Sequence, residues 1–187
     1  MKRIEQVLKN LGLGFFRLFF GNEKLSIIPE ALKNPKKILV VRADARLGNL
    51  IFCLPFVSAL RKKFPQAEIS FLISARFGEL LKNEGGYEVL TFNKKKIRNP
   101  FYFLDLMSHL KSSRYDWCFD LSSPQSPSFT NSFLSALSSA PVRVAYRSKY
   151  AEVFDNLLFE PERDLAMWGL FLKLLEKDRK ASCRERV

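Results

Sequence analysis

The sequence holds only three cysteines and one histidine in 187 residues. Cys53, Cys118 and Cys183 form no CxxC pair, and His109 has no ligand-type neighbour. That pattern excludes the usual zinc frameworks, so no metal and no cofactor is expected. Cys53 and Cys118 stand in apolar runs, where a thiol serves as a small buried hydrophobe. Such usage fits a reducing compartment. Long uncharged apolar runs are also missing. The cluster from Leu11 to Phe20 is interrupted by Arg17, is too short to span a bilayer, and lacks the plan of a secretory signal. Acidic residues are in deficit, 19 against 31 Lys and Arg, for a net charge of +12. Phosphorylated lipids, acidic sugars, nucleotides and nucleic acid all suit that charge. No RRM, KH, helix-turn-helix or zinc-finger pattern accompanies it, so a nucleic-acid partner is not expected.

What is present is a foldable core. Hydrophobic residues make up 47% and Phe occurs 18 times, enough for one domain with one large core. Residues 1–36 read as a basic, amphipathic extension. Up to Lys37 there are eight basic side chains against three acidic ones, set among Val7, Leu8, Leu11, Leu13, Phe15, Phe16, Leu18, Phe19 and Phe20. Two readings stay open: a segment lying on an anionic membrane surface, or a helix packed on the domain. Gly12 and Gly14 imitate a dinucleotide loop, but no strand precedes them and no third glycine follows.

From Lys37 to Arg179 strands and helices alternate. Ile38–Val41 is a continuous β-branched run, as in a buried parallel strand. A helix is expected next, with Leu50, Leu54, Val57, Leu60 or Arg61, and Phe64 on one face, ended by Pro65. Strands follow at Glu68–Ser74, Tyr87–Phe92, Trp117–Leu121 and Val142–Tyr146. Helices are expected at Phe77–Asn83, Phe101–Ser112 and Phe129–Leu137, and a closing one at Glu162–Lys177. Five alternations predict an α/β fold: a Rossmann-like parallel sheet with helices on both faces. Ligands of such sheets bind at the carboxyl ends of the strands.

The first strand–loop–helix unit carries the most chemistry. Gly48 at a helix entrance permits close approach of backbone to a ligand, and first-turn N–H groups point toward an anion. Arg42 and Arg46 add positive charge, and Asp44 adds a carboxylate. An ordinary strand-to-helix turn with solvated charges fits the spacing equally well. Lys94, Lys95, Lys96, Arg98, Arg143 and Arg147 are further candidate anion contacts, with Arg147 favoured by its place after a strand. A solvated loop is the plainer reading of Lys94–Lys96. Asp120, Ser122, Ser123 and Gln125 sit at another strand end, where hydroxyls would hold a sugar or simply line a polar loop. His109 reads as structural or exposed, and Trp168 as packing.

The same residues carry a resemblance. The stretch Arg42-Ala-Asp44-Ala-Arg-Leu-Gly48-Asn49, followed by Pro55 and Ser58-Ala-Leu-Arg-Lys-Lys-Phe-Pro65, is similar to the opening signature of the heptosyltransferase family of glycosyltransferases, family 9. Tyr115-Asp-Trp-Cys-Phe-Asp-Leu121 and Glu162-Arg-Asp-Leu165 match later segments in the right order. The resemblance implies a GT-B fold whose first domain, here residues 37–179, holds the acceptor, an anionic glycolipid or glycan such as lipopolysaccharide core. A second domain would hold the nucleotide-sugar donor, ADP-heptose-like. It implies inverting, metal-free transfer with an acidic loop residue as base. A cytoplasmic protein is expected, with peripheral contact at the inner face of the cytoplasmic membrane if the basic N-terminal extension lies on a membrane surface. Asn49 stands where the family has Asp, and an amide is no base at neutral pH. Either Asp44 takes that role, which we favour, or Asp120 does, or the protein works weakly or on another acceptor. Asp44 also suits a turn-capping role. No second sheet is encoded after the closing helix, and Lys180–Val187 matches no part of the pattern and reads as an artefactual tail. The chain is therefore expected to be an N-terminal half, inactive alone. A non-catalytic binding module for anionic lipid or polysaccharide is the alternative.

Overall fold

Short apolar runs rich in β-branched and aromatic residues build the centre of the molecule, and the segments between them coil into helices. The computed structural model describes residues 23–82 and 86–161, and beyond these Gly169, Leu172 and Lys173. The expectations for the first 22 residues, for nearly all of the closing helix and for the tail lie outside the described residues.

Six strands form one sheet: β1 (Lys37–Arg42), β2 (Glu68–Ser74), β3 (Glu88–Phe92), β4 (Trp117–Asp120), β5 (Val142–Tyr146) and β6 (Leu157–Phe159). Every pairing is parallel, in the order β3-β2-β1-β4-β5-β6. The chain winds outward from β1 to β3, returns to the centre, and winds the other way from β4 to β6. This confirms the α/β, Rossmann-like expectation and adds one strand. β6 is a three-residue edge strand, too short to show a period in sequence.

Ile38, Leu39, Val40 and Val41 are all fully buried, because helices cover both faces of the sheet. On one face Ile38 and Val40 meet Leu50, Cys53, Phe56, Val57 and Leu60. On the other, Leu39 and Val41 meet Leu106, Leu110, Leu134 and Leu137. Among the described residues the six helices are α1 (Leu47–Ile51), α2 (Leu54–Lys63), α3 (Gly78–Leu81), α4 (Pro100–Ser112), α5 (Phe129–Leu137) and α6 (Ala151–Phe154).

Two helices differ from expectation. The one predicted from Leu50 to Phe64 is broken into α1 and α2. Pro55 lacks an N–H and its ring clashes with the carbonyl four residues back, that of Ile51. After the break Cys53 and Phe56 join the buried face, and Leu54 and Phe64 are only partly buried. The helix expected over Phe77–Asn83 is the four-residue α3, preceded by a 3-10 turn at Ala75–Phe77.

Residues 24–36 pack against the domain. Leu25 N donates to Asn156 O at 2.8 Å, and Lys24 Nζ donates to the carbonyls of Glu152 and Asp155 at 2.8 and 2.6 Å. Trp117 Nε1 donates to Leu32 O at 2.7 Å, and Ile28 is buried. No helix among the described residues is long and apolar enough to cross a membrane.

Candidate functional site at the topological switch

Neighbouring β1 and β4 lead their chains away in opposite directions, which opens a crevice at their carboxyl ends. Val41 pairs with Asp120 across this switch. The residues singled out at the ends of both strands therefore meet at one place, although some 76 positions separate them in sequence.

Arg42 ties the crevice together. Its side chain is 2% exposed. Nη1 donates to the carbonyl of Leu121, just past β4, and Nη2 pairs with Asp44 Oδ2 at 2.9 Å. The expected anion contact is thus an internal clamp between two loops. Asp44 is one quarter exposed. Its Oδ2 also accepts from Asn49 Nδ2 at 3.1 Å, and among the described residues its Oδ1 accepts only the Arg46 backbone N–H, at 3.2 Å. One carboxylate oxygen is pinned by two side-chain donors, whereas the other meets a single backbone donor and has acceptor capacity left. Asn49, at the family's base position, is a donor to Asp44.

Gly48 and Arg46 are exposed. Nothing lies within 4 Å of the place a Gly48 Cβ would occupy, so that side of the loop is open. The helix entered here, α1, has five residues. Its dipole is correspondingly short, which weakens the anion-binding argument made for a long helix.

Asp120 faces inward and is 1% exposed. Oδ1 accepts from Ser122 N at 2.8 Å and Ser122 Oγ at 2.6 Å, and Oδ2 accepts from Ser132 Oγ at 2.6 Å. Burial pushes its carboxyl above the usual range. Ser122 is buried over it, and Ser123 Oγ bonds Gln125 Oε1 at 2.6 Å within a small turn. Asn131, fully buried on α5, completes the support: Oδ1 accepts from Ala43 N at 3.0 Å, and Nδ2 donates to Ser122 Oγ at 3.2 Å. The sequence reading missed Asn131 and Ser132. Their signal was two polar residues on the apolar, inward side of a helix.

The remaining cations divide. Arg143, expected as an anion contact, is buried, with Nε donating to Phe154 O at 2.7 Å and Nη1 to Ala140 O at 3.0 Å. Its alternating position on β5 points it into the helix layer, which corrects that expectation. Arg147 leaves β5 exposed but pairs with Glu152 at 2.9 Å and with Glu160. It borders a separate groove of about 420 Å³ with Lys24, Ser26 and Lys149. Lys94, Lys95, Lys96, Arg98 and His109 are exposed. Cys53 and Cys118 are fully buried free thiols, both pushed up to about 12 by desolvation, which leaves them unreactive.

Sheet order and crevice define a doubly wound, Rossmann-type α/β domain with a polar loop cluster at its switch point. Its likeness among solved structures is to GT-B glycosyltransferases. The glycosyl transferase family 9 structure from Veillonella parvula superposes with a TM-score of 0.64 at 20% identity, covering 76% of this chain and 41% of that one. Escherichia coli heptosyltransferase WaaC with ADP gives 0.62 at 15% identity, covering 76% and 46%. Escherichia coli ADP-heptose lps heptosyltransferase II gives 0.58 at 20% identity, covering 74% and 39%. At these identities the shared property is the fold, and this chain spans less than half of each relative's length. No family model matches the chain, and no curated protein matches it in sequence.

Proposed function

We propose that this chain is the acceptor-side domain of a glycosyltransferase that moves a heptose-like sugar from a nucleotide-sugar, ADP-heptose-like, to an anionic glycolipid or glycan of the cell envelope. The observation that carries this reading is the Arg42–Asp44–Asn49 arrangement at the switch of a fold shared with heptosyltransferases. Asp44 is the base. Asp120 is closed off by three internal donors, and Asn49 cannot accept a proton, so Asp44 is the carboxylate of the cluster with an oxygen left open. Oδ1 takes the proton from the acceptor hydroxyl, which attacks the sugar carbon as the nucleoside diphosphate leaves from the opposite face. Arg42 and Asn49 hold Asp44 in place, and Arg46 and Ser123 offer contacts to acceptor phosphates and hydroxyls. The protein works in the cytoplasm, at the inner face of the membrane.

A transfer assay on the complete gene product, with ADP-heptose and heptose-deficient lipopolysaccharide core, tests this. Transfer is expected with the parent, and Asp44→Asn should lower kcat by about 100-fold or more, the range of a lost general base. Asp44→Asn with parental turnover would remove Asp44 from that role. The Asn49 substitution supports a second reading, a binding module for anionic lipid or polysaccharide. Acceptor binding with no transfer from any nucleotide-sugar would favour it.

A further inference from the structure

The ladder between β1 and β4 ends on side chains. Leu121 N donates to Val41 O at 3.1 Å, just past the paired Val41 and Asp120. Regular parallel pairing would continue with Ala43 N donating to Leu121 O, since one residue there bonds two residues of the facing strand, two positions apart. Here each of these backbone groups has a side-chain partner instead. Ala43 N donates to Asn131 Oδ1 at 3.0 Å, and Leu121 O accepts from Arg42 Nη1. The two chains part at this point with both groups bonded, and the crevice begins there.

Asn131 spans the opening from below. It is 0% exposed and stands in the first turn of α5, where its own N–H donates to the capping Ser128 Oγ at 3.3 Å. Its Nδ2 donates to Ser122 Oγ at 3.2 Å, on the β4 side. The partners fix which way the amide faces. Ala43 N can only donate, so an oxygen must meet it. Ser122 Oγ directs its proton to Asp120 Oδ1 at 2.6 Å, so a donor must meet its lone pair. Asp120 is held in turn by Ser132 Oγ, the next residue of α5, at 2.6 Å. Elsewhere this side of α5 buries Leu134 and Leu137. A buried amide costs free energy unless both its ends are bonded. A polar side chain kept in an apolar layer, where it alone meets both loops, marks a geometric role.

We infer that Asn131 is a positioning residue: it wedges the two switch loops apart and fixes where Asp44, next in the chain to Ala43, presents its carboxylate. The inference rests on the reading of Asp44 as the base. Being fully buried, Asn131 acts only through that loop. Arg42 and Asn49 orient the carboxylate, and Asn131 places the backbone that carries it.

Asn131→Leu keeps the branched shape and removes both bonds. In the complete gene product it should lower kcat about 100-fold, the scale of a misplacement of about 1 Å, with KM for the nucleotide-sugar within about twofold of the parent. Asn131→Asp is a second test, and carries it if Asn131→Leu does not fold. A neutral carboxyl reproduces the amide: its carbonyl oxygen accepts from Ala43 N and its hydroxyl donates to Ser122 Oγ. Once ionised it loses that donor. Burial, Asp120 at the end of β4 and Asp44 in the loop favour the neutral form, Arg42 at the end of β1 opposes it, and α5 itself carries no charge. The ratio of its kcat to the parent's should be near one at about pH 5 and fall at least about tenfold by about pH 8. Hydrogen exchange gives a readout without donor or acceptor. The Ala43 amide should exchange at least about tenfold faster in Asn131→Leu, with the Val40 amide of β1 unchanged. Parental kcat in Asn131→Leu would overturn the inference, as would an Asn131→Asp ratio indifferent to pH, or unaltered exchange at Ala43. A parent without transfer would sink the transferase reading. Faster exchange at Ala43 would then still show Asn131 holding the loop, and unaltered exchange would sink both.

Discussion

At Asp44 two side-chain donors converge on one oxygen and a single backbone N–H reaches the other. That asymmetry is what the proposed role of base requires: one oxygen fixes direction and the other would accept the proton. It also explains why an amide at position 49 is compatible with the loop. An aspartate there would set a second carboxylate where Nδ2 now stands 3.1 Å from Asp44 Oδ2, and two like charges at that range oppose each other's ionisation. Asn49→Asp should therefore lower the thermal midpoint at pH 7, and the loss should shrink as pH falls through the carboxylate range. Thermal unfolding from pH 4 to 8 checks this, and an equal loss at every pH would show that charge is not the cause.

Among the elements, α4 shows how local chemistry sets a surface. Asn99 accepts from two first-turn N–H groups, those of Phe101 and Tyr102, and Pro100 occupies the first helical position, where its missing N–H costs nothing. Removing the cap by Asn99→Ala should destabilise by about 1 kcal/mol, a fall of about 2–4 °C in midpoint for a chain of this size. Asn99→Ser should recover most of it. Thermal melts of the two variants decide whether the side chain or only the backbone makes this helix start.

For the molecule as a whole, the helix layer beyond β4 and β5 holds a buried carboxyl cluster. Asp155 is 1% exposed. Burial, followed by the charge of Asp120, pushes its carboxyl well above the usual range, against the Ser135 hydroxyl bond and the cations of Arg143 and Lys24. A carboxyl raised by folding keeps its proton in the native state at pH values where the unfolded chain has lost it. Stability then falls as pH rises from the ordinary carboxylate range through the raised native value. Asp155→Asn cannot ionise and should flatten that fall. Midpoints compared between pH 5 and pH 8 should drop further for the parent than for the variant, and parallel curves would exclude Asp155 as a source.

The sequence by itself determined the class of fold and the close spacing of the polar residues in its first loop. Apolar runs at Ile38–Val41 and Val142–Tyr146 have a strand's length and chemistry wherever they are placed, and Arg42, Asp44, Gly48 and Asn49 are close enough in the chain to share one turn. Tertiary structure decided what those side chains do. Arg42 and Arg143 looked like ligand contacts because charge marks a candidate, but burial is set by strand neighbours far away in sequence, and both turned inward. Asp120 and Asp44 both stood as carboxylates of the switch loops, Asp44 the favoured one, and it took the fold to bring Ser132 of α5 against Asp120 and leave Asp44 one quarter exposed.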